Sequence, residues 1–209
     1  MQLSFSFKNL DKKLLISGID EAGRGPLAGP VVAACVVLER GSKIKGINDS
    51  KQLTKIERRR IFLELQQQAK FGVGIVDEKT IDRINILQAT KLAMLNAYLD
   101  LQKKYQIFCE VILVDGNFVP FAARDKISQI IPIIKGDEKN RLIAAASIIA
   151  KETRDDIMKD IHEKYPHFGF DKNAGYGTKF HLEAIKKFGV CEFHRRSFEP
   201  IKSMCHADN

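Results

Sequence analysis

Short apolar runs that stop abruptly alternate along this chain with longer stretches in which apolar residues recur every three or four positions. The runs Lys13–Asp20, Pro30–Leu38, Phe71–Val76, Glu110–Gly116 and Ile130–Ile134 have the length and composition of strands. The glycine- and proline-rich turn between the first two is too short for a crossover, so those strands pair antiparallel. Pro132 has no N–H to give to a ladder and marks the last run as an edge strand or a bulge. Helical spacing covers Lys55–Ala69, where Ile61, Phe62 and Leu65 share a face and Arg58, Arg59 and Arg60 are assigned to solvent. It returns over Asn85–Lys104, with Leu92, Leu95 and Leu99 in step, and over Lys139–Lys164, whose Ala144, Ala145 and Ala146 allow close packing on a sheet. The polar loop Glu39–Leu53 leads into the first helix with Ser50 or Thr54 as its cap. Aromatic, glycine and basic residues fill Tyr165–Thr178, and a last helix spans Lys179–Phe188.

Strands first, then strands alternating with helices, predict an α/β fold: a central mixed sheet with its later strands parallel, flanked by helices. A helical C-terminal extension begins at about residue 165. The 209 residues contain no repeat, low-complexity tract or long linker, so 1–209 reads as a single domain. No apolar run is long enough to span a membrane. Met1–Lys8 lacks the features of a secretory signal, and the reading is cytoplasmic. Cys35, Cys109, Cys191 and Cys205 lie far apart with no CxxC pair, which supports neither a zinc knuckle nor a redox pair.

Charge changes the picture. The net charge of +8 suits an anionic partner, nucleic acid before others. Yet acids gather where apolar runs end: Asp20 with Glu21, then Asp115, then Asp137 between a strand and the long helix. Strand alternation sends Asp20 and Glu21 to opposite faces unless the strand ends or bends there. Active sites of parallel α/β sheets collect at the carboxyl edges of strands. Carboxylates brought together there repel unless cations compensate, and hard oxygen ligands suit Mg²⁺ or Mn²⁺. A pair of such ions activates water and stabilises the leaving oxygen of a phosphodiester. Asp155 is a rival acid, set far along the helix from Asp137 and read as a surface partner of Lys159.

Gly23-Arg24-Gly25-Pro26-Leu27-Ala28 matches GxGxxA, but prolines and a strand follow it where a dinucleotide fold needs a helix. No Lys-Ser/Thr follows the glycines, so there is no P-loop. The amides of Gly23 and Gly25 are instead open to a sugar hydroxyl or a phosphate. Lys51 reads equally as part of a polar loop or as a phosphate contact. Tyr176, between Gly175 and Gly177, is either a rim residue or a ring that stacks on a nucleoside. His167, His181 and His194 have no metal spacing and are assigned to structure.

The segments GIDEAGRGPLAGPVVAA, INDSKQLT, ATKLAM, LVDGN, KGDEKNRLIAAASIIAKETRD, YPHFGF, GYGTKFHL and HRRSFEP occur in this order from about residue 18 to 200. In these the chain closely resembles the bacterial ribonuclease HII family. The resemblance implies a ribonuclease H-like fold and hydrolysis of RNA in RNA–DNA hybrids. It implies incision at single ribonucleotides in duplex DNA, leaving 3′-hydroxyl and 5′-phosphate ends, as in ribonucleotide excision repair. It assigns Asp20, Glu21, Asp115 and Asp137 as catalytic, metal-binding carboxylates for two Mn²⁺ or Mg²⁺ ions. Gly23, Arg24 and Gly25 match the turn that inspects the 2′-hydroxyl, and Tyr176 matches the tyrosine stacked on the following sugar.

Ala174 stands where relatives often carry lysine, which weakens one phosphate contact, and the extended tail of some relatives, with any clamp-binding motif, has no counterpart. The implied partners are RNA–DNA hybrids and ribonucleotide-containing DNA, with no membrane and a monomeric chain. A ribonuclease HIII-like enzyme normally adds an N-terminal substrate-binding domain, and only about a dozen residues precede the first strand. A non-catalytic hybrid-binding module would not need the strand-end carboxylates.

Overall fold

The computed structural model describes residues 14–39, 41–48, 50–122 and 127–207, with side chains to residue 204. The segment Met1–Lys8, Asp49 and the Cys205 side chain lie outside the described residues. The apolar runs form β1 (Ile16–Ala22), β2 (Val31–Leu38), β3 (Ala69–Val76), β4 (Val111–Asp115) and β5 (Gln129–Ile133), ordered β3-β2-β1-β4-β5 in one sheet. The pairs β1–β2 and β2–β3 are antiparallel, while β1–β4 and β4–β5 are parallel. The edge position of β5 accommodates Pro132, as a missing donor requires.

Helices cover both faces. Helix α2 (Glu78–Tyr105) closes one core with Ala93, Met94, Ala97 and Leu101 against Ile19, Ala33, Cys35, Ile112 and Val114. On the other face, α1 (Lys55–Gln68) and α4 (Arg141–Lys164) pack Ile61, Phe62, Leu65, Ala145, Ala146 and Ile149 against Ala34 and Val36. The α4 backbone comes so near β1 that a Cβ on Gly18 would sit 2.3 Å from the Leu142 carbonyl carbon. Between β5 and α4 lies the single turn α3 (Gly136–Lys139).

The C-terminal part is helical: a 3-10 turn (Pro166–Phe168), α5 (Phe170–Asn173), α6 (Lys179–Phe188) and α7 (Ile201–Ala207). A third core joins it to the loop after β1, with Leu27 and Ala28 packed among Met158, Phe168, Phe170, Ala184, Ile185 and Ile201. The backbones of Ala28 and His194 form a β-bridge there. The glycine-rich loop is thereby held from both sides.

Four readings change. The second helix starts at Glu78, not Asn85: Asp77 caps its first turn, and Asn85 (φ 65°) breaks the helix and caps the rest through Gln88 N–H. The long helix starts at Arg141, because Asn140 leaves helical geometry and its side chain accepts from Leu142 and Ile143 N–H. Arg58 is buried rather than solvated, its Nε donating to Glu152 at 2.6 Å. Asp155 pairs with Lys151 at 2.6 Å and with Arg58 at 3.3 Å, and Lys159 pairs with Asp156 instead. Helix α7 was not foreseen. Thr54, not Ser50, caps α1, in a capping box with Glu57.

Candidate active site

Parallel pairing sets Ile19 of β1 opposite Val114 of β4, and both point into the core under α2. One residue further, Asp20 and Asp115 point to the other face, toward α3 and α4. The α3 turn adds Asp137. One carboxylate oxygen from each of Asp20, Asp115 and Asp137 lies within 4.8 Å of the others, a group formed among the described residues. Backbone amides orient all three. Glu21 N–H donates to Asp20 Oδ1 at 2.7 Å, Gly136 N–H to Asp115 Oδ1 at 2.7 Å, and Glu138 N–H to Asp137 Oδ1 at 3.1 Å.

The fourth predicted acid, Glu21, is not in this trio, but its charge raises Asp20 ahead of those of Asp115 and Asp137, and the charge of Asp115 in turn raises Glu21. β1 does not stop at Asp20 but runs on to Ala22 and carries Glu21 as the next residue. Its Oε1 pairs with Arg24 Nη1 at 3.2 Å, and its Oε2 is buried with no hydrogen-bond partner among the described residues. Lys51 Nζ lies 3.5 Å from Asp137 Oδ2.

Burial, and then the charges of Glu21, Asp115 and Asp137, hold the Asp20 carboxyl well above the usual carboxylate range. Burial likewise raises Glu21, with Arg24 opposing it. Three converging carboxylates and one orphaned carboxylate oxygen form a donor set that a hard divalent cation would satisfy. The residues fit such an ion.

Beside the acids is the turn. Gly23 takes φ +96°, and the amides of Gly23, Arg24 and Gly25 have no acceptor among the described residues. A Cβ on Gly25 would lie 3.5 Å from Tyr176 Cε1, so the half-exposed Tyr176 ring stands over the turn. Leu27 N–H donates to Gly175 O at 2.8 Å and ties the two loops together.

Behind Tyr176, the two buried histidines form a directed chain. Cys191 N–H donates to His194 Nδ1 at 2.9 Å, so neutral His194 carries its proton on Nε2. That proton goes to His181 Nε2, 3.0 Å away, which leaves His181 Nδ1–H to donate to the Tyr176 carbonyl at 2.9 Å. Burial holds both rings below the usual histidine range, His194 at about 4. The histidines are structural, but they back a candidate binding residue.

Sequence reasoning missed three residues around this site. Arg154 and Arg195 are fully buried under the glycine turn. Asp82 in the second turn of α2 accepts from Arg196 N–H, Ser197 N–H and Ser197 Oγ, anchoring the segment that carries Arg195. A signal existed for Arg154, which falls on the buried stripe of α4 between Ala150 and Met158.

A mixed sheet in this order, with acids at its carboxyl edge and helices on both faces, defines a ribonuclease H-like fold. Solved structures agree. The ribonuclease H2 from Pyrococcus horikoshii OT3 superposes with a TM-score of 0.73 at 27% identity, covering 93% of this chain and 98% of that one. The ribonuclease HII in a complex with PCNA from Archaeoglobus fulgidus gives 0.71 at 26% identity, covering 89% and 96%. The family model of ribonuclease HII matches residues 17–201, and the chain belongs to that family. The ribonuclease HII of Chlamydia pneumoniae is 48% identical over 193 residues, which is 91% of this chain and 86% of the relative. The protein is accordingly an endoribonuclease, a hydrolase that cleaves RNA in RNA–DNA hybrids.

Proposed function

We propose that the enzyme also incises duplex DNA at single embedded ribonucleotides, by divalent-metal-assisted attack of water on the phosphodiester that leaves 3′-hydroxyl and 5′-phosphate ends. One observation carries this reading: the acidic trio lies beside a turn whose three consecutive amides are without an acceptor among the described residues. A 2′-hydroxyl both donates and accepts, and it is what distinguishes one ribonucleotide from its deoxy neighbours.

Asp20, Glu21, Asp115 and Asp137 would hold Mg²⁺ or Mn²⁺, which supplies positive charge to the phosphate and acidifies a water. The remaining roles belong to the chain. Gly23 and Gly25 let the turn backbone approach the ribose, with the amides of residues 23–25 as donors. Arg24 and Lys51 bring positive charge to the neighbouring phosphates, and each already faces a site carboxylate. The Tyr176 ring offers a flat surface to the next sugar, its backbone held by the histidine chain. Recognition of the ribose and alignment of its phosphate then occur together, so selectivity enters the turnover rate as well as binding.

The test compares an all-DNA duplex with the same duplex carrying one ribonucleotide, each with Mg²⁺, with Mn²⁺ and with chelator. Metal-dependent nicking of the second duplex alone is expected. Nicking of both, or of neither, contradicts the proposal.

A further inference from the structure

Arg154 and Arg195 are among the largest fully buried side chains of the protein, and neither has a carboxylate within 4.0 Å among the described residues. Their guanidiniums are spent on backbone carbonyls. Arg195 donates from Nε to Gly29 O (2.9 Å), from Nη1 to Arg24 O (3.1 Å), and from Nη2 to Gly23 O (2.6 Å) and Gly29 O (2.7 Å). Arg154 donates from Nε to Pro30 O (2.9 Å), from Nη2 to Ala28 O (3.0 Å), and from Nη1 to Ala174 O (2.9 Å). Six carbonyls, five of them in the loop from Gly23 to Pro30, are thus drawn inward onto two cations. The amides of residues 23–25 are left without partners on the same loop.

This arrangement is expensive and specific. Two like charges are buried side by side with no carboxylate in hydrogen-bond contact, Glu78 and Asp82 acting on Arg195 and Asp155 on Arg154 only from further off. Such burial destabilises a fold unless the N–H groups are matched. The planar fork of arginine presents five N–H donors in a fixed geometry that spans these separated carbonyls; a lysine ammonium, a compact point with three donors, cannot reach the same set. The loop is shaped around the forks: a Cβ on Gly23 would lie 2.1 Å from Arg154 Nε. Arg154 also bonds both loops, Ala28 and Pro30 on one side and Ala174, two residues before Tyr176, on the other.

We infer that Arg154 and Arg195 are positioning residues for ribose selection, holding the Gly23–Gly25 amides outward and fixing the Tyr176 loop against them. This inference rests on the reading of that turn as the ribose sensor. Neither arginine needs to touch the substrate. Each acts by fixing which edge of the turn faces it.

The test measures dissociation constants in chelator for the all-DNA duplex and for the duplex with one ribonucleotide, using wild type, Arg154→Lys, Arg195→Lys and Leu101→Ala. Leu101 lies in the core under α2, away from the turn, and reports general destabilisation. Wild type and Leu101→Ala are expected to prefer the ribonucleotide duplex by at least about tenfold. Both lysine variants should bring that ratio to within about twofold of one, with all-DNA affinity changed less than about twofold. An unchanged ratio in the lysine variants overturns the positioning role alone. A wild-type ratio of one overturns the ribose-sensing turn itself, and the positioning role with it. Failure of both lysine variants to fold at 10 °C would assign the arginines to folding only and overturns the inference as well.

Discussion

The Gly136 amide donates a 2.7 Å hydrogen bond to Asp115 Oδ1, joining the end of β4 to the turn that delivers Asp137. A Cβ at Gly136 would lie 2.5 Å from Ile143 Cδ1 and 3.3 Å from Asp115 Oδ1. The fully buried Ile143 has little room to yield. Gly136→Ala should therefore move two acids relative to each other while leaving the nucleic-acid surface alone. The expected result is a loss of about 1–3 kcal/mol in stability from overpacking. A drop in kcat on RNA–DNA hybrid of at least about tenfold should accompany it, with KM within about threefold. Urea unfolding and steady-state kinetics check the two parts separately.

The histidine chain predicts a pH dependence of stability. His194 is held at about 4, against 6.5 for the free side chain, by burial first and by His181 and His167 next. Unfolding lets His194 take a proton anywhere below pH 6.5, whereas the folded protein refuses it until about pH 4. The unfolded state binds more protons in that window, so this stability is fully present above pH 6.5 and is lost as pH falls toward 4. A depression of this size is worth roughly 3 kcal/mol. Urea midpoints at pH 7.5 and pH 5 should fall more for wild type than for His194→Asn, which starts lower but lacks the titrating ring. Equal falls would show that His194 does not contribute.

Tyr176→Ala removes the ring while the His181 bond to the residue 176 carbonyl remains available. Incision at a lone ribonucleotide should fall at least about tenfold, and cleavage of long hybrid by less than about threefold, because a continuous RNA strand offers many registers. Initial rates on the two substrates at equal concentration make the comparison. An equal loss on both would remove the stacking role.

Much of the fold is written in where apolar runs stop. Each strand that carries a site acid ends on or just after it, and short or helical connections then fix antiparallel or parallel pairing, so the meeting of Asp20 with Asp115 follows from register alone. Asp137 was legible as the junction before the long helix, although the separate α3 turn was not, because Asn140 reads as an ordinary helical residue until its cap geometry is seen. What stayed hidden were charges on apolar stripes. Arg58 lies in step with Ile61, Phe62 and Leu65, and Arg154 in step with Ala150 and Met158. Periodicity marks such positions as buried but cannot name the partner. Arg58 finds Glu152 on another helix, and Arg154 finds carbonyls more than a hundred residues away. Glu21 was legible as the acid beside Asp20 where the apolar run ends, yet only the structure exposes its orphaned Oε2.

The acidic trio is most directly tested with Asp115→Asn, which keeps the shape and the Gly136 contact but removes one charge from the cluster. Hybrid cleavage in Mg²⁺ or Mn²⁺ should fall by at least about a thousandfold, while hybrid affinity in chelator stays within about threefold of wild type. Turnover within about tenfold of wild type would contradict the assignment of Asp20, Asp115 and Asp137 as the reaction centre.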